Sequence, residues 1–192
     1  MNIQETIDFV KKNMLGRIAE EANNTALMAA TAMCDGNHLE IGSLHGGSAI
    51  VVALLKKYHG FTGSVVCIDP LDGYYPCKPF YKQVDPRTKV PVSLETIQEN
   101  MQRFGVDLEI VRAYSIPFPI VGRTFATAYI DGDHDGDAPL KDFENASMVT
   151  TKFITFDNCD KKHPAVWDAC AKAEKLWKPY KRAGIACIVE HP

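Results

Sequence analysis

An α/β domain built on a mostly parallel sheet of six or seven strands, with helices on both faces, is predicted by three features of the sequence. Residues 38–69 read strand, helix, strand within about thirty residues, a βαβ unit. The same alternation of short apolar runs and amphipathic stretches continues to the end of the chain, as a parallel sheet covered on both sides requires. Every strand but the last ends in glycine or polar residues. That is where a Rossmann-like, doubly wound sheet binds its ligand.

The elements follow in order. Ile3, Ile7, Val10 and Met14 recur at helical spacing, and Gly16 stops the run. A second helix is expected from about Ile18 to Met33, ending at the turn pair Asp35-Gly36. These two extra helices occupy residues 1–35. HLEIG is a short strand, SAIVVALLKKY a helix, and SVVCID an apolar strand ending in Asp69. Residues 70–92 have no clear periodicity and hold five prolines with Tyr74, Tyr75, Phe80 and Tyr81. A loop this long suggests a binding lid. Ser93 is a good N-cap for LETIQENMQRF, and Gly105 a good C′ residue. LEIVRA and TFATAYID are strands, PLKDFENASM a helix with Pro139 in its first turn, and KFITFDN a strand. AVWDACAKAEKLW is a helix, with Trp167 and Trp177 expected to pack on its face, and GIACIVE a last strand.

Bulk properties exclude several functions. The 192 residues suit one domain spanning 1–192. Net charge is −3, from 21 basic and 24 acidic residues, so no nucleic-acid partner is expected. The longest aliphatic run, AIVVALL, is too short to span a bilayer, and MNIQETIDFVKKN lacks the apolar core of a signal peptide. Six cysteines without a CxxC pair read as buried, reduced thiols of a cytoplasmic protein rather than a zinc site.

The strand ends carry the chemistry. After the first comes EIGSLHGG, whose Gly42, Gly46 and Gly47 can let a ligand approach the backbone and a helix N-terminus. Leu44 stands where the dinucleotide fingerprint needs glycine, which argues against a nicotinamide cofactor. Asp69, ending the second strand, suits both vicinal hydroxyls of a ribose. After the fourth strand comes DGDHDGDAPLKD, residues 131–142, with nearly the spacing of an EF-hand loop. An EF-hand needs an entering helix, and TFATAYI reads as a strand. After the fifth comes DNCD.

LEIGSLHGGSA, VVCIDP, AYIDGDHDGD and FITFDN together resemble a class I S-adenosylmethionine-dependent methyltransferase. More narrowly, they resemble the small-molecule O-methyltransferase branch whose fourth strand ends in I-D-G-x-H. The resemblance covers roughly residues 36–160, and the ordered set is more specific than any one motif. It implies that Glu40, Gly42 and Gly46, with Ser43 between them, shape the methionine and ribose end of the cofactor. Asp69 would bind the ribose, and Ser115 would lie near the adenine. Several related enzymes hold a divalent metal by acids after strands four and five, which here match Asp131, Asp157 and Asn158. Such hard oxygen ligands suit Mg²⁺ or Ca²⁺. His134 would be the general base, and a neutral imidazole near pH 7 is fit for that role. The other acids of the loop are expected to face water. His45, inside the glycine loop, could touch the ligand.

The family usually ends in an antiparallel hairpin, so a penultimate strand must be squeezed into KPYKRAG or be absent. The expected reaction is metal-assisted methyl transfer to a hydroxyl of a small molecule such as a sugar or a natural-product scaffold. N-methylation would need less help from a base or a metal. A catalytically silent cofactor- or metal-binding module and an NAD-dependent oxidoreductase are the competing readings. No membrane partner is expected, and a homo-oligomer is left open.

Overall fold

The computed structural model describes residues 1–18, 22–72 and 84–192. The lid aromatics Tyr74, Tyr75, Phe80 and Tyr81, and the start of the second expected helix, lie outside the described residues.

Helix α1 (Ile3–Asn13) begins with a capping box in which Asn2 and Glu5 satisfy each other's backbone N–H groups. It buries Ile7 and Val10. Helix α2 (Ala22–Ala32) follows. Strand β1 (His38–Ile41), α3 (Gly47–His59) and β2 (Val65–Ile68) form the expected βαβ unit. Then come α4 (Leu94–Phe104), β3 (Glu109–Val111), β4 (Phe125–Ile130), α5 (Ala138–Ser147), β5 (Thr150–Phe156), α6 (Pro164–Leu176), β6 (Lys178–Ala183) and β7 (Ala186–Glu190).

These strands form one sheet in the order β3-β2-β1-β4-β5-β7-β6. The first five are parallel. β7 runs antiparallel to β5, and β6 antiparallel to β7. The penultimate strand is therefore present in KPYKRA. Its residues are almost all exposed, and Lys178, Lys181 and Arg182 put charge on the sheet's outer edge. A charged edge strand with a proline carries little apolar signal, yet discourages edge-to-edge pairing.

Side chains alternate between two cores. Val65, Cys67 and Tyr129 join the core with residues of α1 to α4. Val66, Ile68, Phe125 and Ile130 face the other, with Phe143 of α5 and Val166, Cys170 and Trp177 at the α6 side. The central strands are buried along both faces, which is why they read as continuous apolar runs. Of the two tryptophans, Trp177 is buried, whereas Trp167 lies at the surface beneath the Arg182 guanidinium. Among the described residues, no helix is long and apolar enough to cross a membrane.

Candidate active site

A cavity of about 570 Å³ opens beyond the carboxyl ends of β1, β2, β4 and β5. β1 and β4 are neighbours in the sheet, and the chain leaves them toward opposite edges, so the cavity lies at the topological switch point.

One wall is built around Asp69. The loop after β1 turns back so that the backbone N–H groups of Ser43 and Leu44 donate to Asp69 Oδ2, at 2.7 and 3.1 Å. The Ser43 hydroxyl adds a longer bond at 3.3 Å. Leu71 N–H donates to the other oxygen, Oδ1, at 2.8 Å. Oδ1 keeps a second lone pair, so the carboxylate is held in place with room for one further donor. Leu44 reaches this position with a left-handed backbone, φ 51, a conformation that favours glycine. The loop thus keeps a tight turn without the fingerprint glycine.

The opposite wall comes from the ends of β4 and β5. His134 Nε2 lies 3.3 Å from Asp131 Oδ1. Burial works against a charged imidazole there, but the hydrogen bond and charge of Asp131 outweigh it, and the His134 pKa rises. Burial raises the Asp131 carboxyl to about 7, and the charge of Asp157 pushes the same way. Asp157 is held on both oxygens. Tyr129 donates its hydroxyl to Oδ2 at 2.9 Å. Asn158 N–H donates to Oδ1 at 2.7 Å, and Asn24 Nδ2 donates to the same oxygen.

Of the residues expected at the site, Gly42, Ser43, Asp69, Ser115, Asp131, His134, Asp157 and Asn158 all line this cavity. Glu40 and Gly46 lie behind its wall. Glu40 is fully buried, accepts the Ser48 hydroxyl at 2.7 Å, and leaves Oε2 without a partner among the described residues. Burial raises its pKa to about 8, against the Ser48 bond and with help from the charges of Asp131 and Asp69. A Cβ on Gly46 would meet Ile97 and Leu108 of the core, so Gly47 is the glycine that faces the cavity.

Two expectations are corrected. His45 is buried against the chain rather than turned to the cavity: Arg17 N–H donates to its Nδ1 at 3.3 Å, leaving Nε2 to face the Val90 carbonyl at 3.5 Å. Asp142 does not face water. It is buried in α5, and burial raises its carboxyl to about 6. The strand entering residues 131–142 removes the EF-hand.

Sequence reasoning missed Asn24, Tyr129 and His163. Asn24 lies in the N-terminal helices, far from any motif. Tyr129 was legible in part, since alternation along β4 puts it on the face of Asp131. His163, ahead of α6, brings its ring edge-on to His134 with centroids 5.3 Å apart.

A family model described as "Methyltransferase domain" matches residues 39–159, more than half of the chain. The chain belongs to this methyltransferase family. The matched span includes both walls of the methyltransferase cavity, from Gly42 to Asn158. Solved structures with the same fold include the O-methyltransferase NovP, at TM-score 0.64 and 16% identity, over 88% of this chain and 78% of that one. An O-methyltransferase from Bacillus cereus in complex with SAH matches at TM-score 0.59 and 16% identity, over 98% and 90%. CalS11, a TDP-rhamnose 3'-O-methyltransferase, matches at TM-score 0.57 and 17% identity, over 97% and 93%. No curated protein matches the chain.

Asp131, Asp157 and Asn158 offer oxygen donors to one cavity. Burial, and then the charge of Asp157, disfavour an ionised Asp131, and a cation bound there would favour it.

Proposed function

We propose that this protein transfers the methyl group of S-adenosylmethionine to a hydroxyl of a small molecule, assisted by a divalent cation such as Mg²⁺. The observation that carries this reading is the pairing of two walls across one cavity. A fixed carboxylate, Asp69, suits a ribose, and an acid–histidine pair, Asp131 and His134, suits a reacting hydroxyl. The O-methyltransferases that share the fold, one of them bound to SAH, support the same assignment.

In this reading Asp69 Oδ1 accepts from a ribose hydroxyl and fixes the sulfonium relative to the second wall. Ser115 and Tyr114 border the adenine end. The sulfonium methyl is already activated, so the protein's task is to place an acceptor oxygen in line with the S–CH₃ bond. With His134 Nε2–H directed at Asp131, Nδ1 carries the lone pair that takes the hydroxyl proton. The acceptor oxygen bonds to the methyl carbon, the C–S bond breaks, and its electron pair stays on sulfur as a neutral thioether. His134 then releases the proton to water. A cation held by Asp131, Asp157 and Asn158 would lower the pKa of a coordinated hydroxyl. The bounded cavity favours a metabolite-sized acceptor, and a cytoplasmic setting fits the unbonded thiols.

Calorimetry with S-adenosylmethionine tests the cofactor assignment. Binding that Asp69→Ala weakens at least tenfold, about 1.4 kcal/mol, is expected. No detectable binding by the wild type sinks the reading. The cation needs its own test: chelation should stop turnover and Mg²⁺ should restore it, whereas turnover indifferent to chelation removes the metal role from Asp131, Asp157 and Asn158.

A further inference from the structure

Behind the Asp157-Asn158 turn lies a group of side chains that methyl transfer does not use. Cys159 follows Asn158 directly, Cys170 sits within α6, and Cys187 lies on β7. All three are buried. Their sulfurs lie within 4.8 Å of one another. Three elements, the loop after β5, α6 and β7, therefore bring three thiols together.

A packing role alone does not call for charged neighbours, yet this cluster has two. Arg182 donates through Nη1 to Cys159 Sγ at 3.5 Å. Its guanidinium is fixed by both carboxylate oxygens of Glu174, at 2.6 and 2.8 Å, and by the Trp167 ring, whose centroid is 4.7 Å away. Cys187 Sγ in turn donates to Glu174 Oε1 at 3.6 Å.

We propose that Cys159, Cys170 and Cys187 form a three-thiolate site for one divalent cation of the zinc type, with Glu174, 3.6 Å from Cys187 Sγ, an oxygen donor for a fourth position. A Zn–S bond of about 2.3 Å puts the sulfurs of a tetrahedral site about 3.8 Å apart. The observed separations close to that with side-chain movements on the order of an ångström. Each thiol gives up its proton to solvent as it ligates. Three thiolates around a divalent ion leave one net negative charge, and the Glu174 carboxylate beside them adds a second. Arg182, bonded to both Glu174 and Cys159, offsets one of the two. A disulfide between any two cysteines would leave the third thiol and the Glu174–Arg182 pair without a role.

The loaded site is structural. It ties α6 and the β6–β7 hairpin to the loop after β5, immediately behind Asn158. Soft thiolates select zinc-type ions and hard oxygens select Mg²⁺ or Ca²⁺, so the thiolate site and the oxygen wall of the cavity do not compete.

Cobalt titration of the full chain, reduced and stripped of metal, tests this directly. Saturation at one equivalent is expected, with intense near-ultraviolet thiolate-to-cobalt charge transfer and the visible bands of tetrahedral cobalt. Equimolar Zn²⁺ should abolish the signal and raise the melting temperature. Oxygen ligands give no thiolate band, so the Asp131 side of the cavity cannot produce it. Cys170→Ala and Cys187→Ala, checked for folding by circular dichroism, should lose the band. A reduced wild-type protein that develops no charge-transfer band overturns the proposal without any variant. A band that survives in both variants overturns it equally, by placing the thiolates elsewhere.

Discussion

Gly42 and Asp131 leave no space between them: a Cβ on Gly42 would stand 2.2 Å from the Asp131 carbonyl oxygen. The two residues end the neighbouring strands β1 and β4, and Gly42 passes Asp131 with φ 83. This contact joins the loop that holds Asp69 to the loop that carries Asp131 and His134.

Gly42→Ala should therefore damage both fold and site. The backbone conformation alone costs roughly 1–3 kcal/mol for a residue with a Cβ, and the overlap adds to it. At about 2–4 °C per kcal/mol for a chain of this size, thermal unfolding will register the loss. Gly122→Ala is the control, because it has a positive φ of 71 but no described residue within 4 Å of the added carbon. A Gly42 variant no less stable than the Gly122 variant would refute the close-approach argument.

Tyr129→Phe keeps the ring in the core and removes only the hydroxyl that Asp157 accepts. Hydrogen bonds to charged groups contribute about 1.5–3 kcal/mol. A lower melting temperature is expected, together with a higher Mg²⁺ concentration for half-maximal turnover, because Asp157 loses one of its orienting donors. If stability falls with no change in the Mg²⁺ response, Tyr129 serves the core alone.

His134→Ala should lower turnover by roughly 10²–10⁴, the usual contribution of a general base. Cofactor affinity should stay within about twofold of wild type if the histidine serves the acceptor as proposed. The pH profile carries the sign. Asp131 raises the His134 pKa, so the base form grows in at a higher pH than for an ordinary imidazole. Turnover should rise with pH through that raised value in the wild type, and this limb should vanish in the variant. An unchanged profile would assign the limb to another group.

Glu40 makes unfolding depend on pH. Its folded-state pKa is about 8 against an ordinary 4.5, so between these values the folded state holds a proton that the unfolded state has released. Its contribution is fully present below pH 4.5 and is lost as pH rises through 8. His38 acts oppositely: burial lowers it from 6.5 to about 3, so its contribution is present above 6.5 and lost in acid. Across the interval from pH 6.5 to 8 His38 adds nothing further, but Asp131 and His134 also release protons, so the Glu40 contribution is the difference between wild type and Glu40→Gln. Melting temperature should fall across this interval in wild type and stay flatter in Glu40→Gln. Parallel curves would show that Glu40 is already ionised in the folded protein.

The sequence by itself determined the order of strands and helices, and with it the residues that strand ends deliver. Periods of 2 and 3.6 are local properties, so β1, α3 and β2 were legible from their apolar spacing alone. In a parallel sheet every strand end points to one side, which is why Asp69, Asp131 and Asp157 could be grouped without coordinates. Tertiary structure decided what lies behind those ends. Glu40 stands two residues before Gly42 but is fully buried and bonded to Ser48, because the start of α3 packs over it. Asn24 reaches Asp157 across more than a hundred residues, and Cys159, Cys170 and Cys187 meet only because α6 folds back over β7. KPYKRA forms a strand by pairing with β7, since its exposed edge needs no apolar pattern of its own. Sequence spacing encodes which way a side chain points along its own element. Which elements converge depends on packing between segments remote in the chain, and no local period records it.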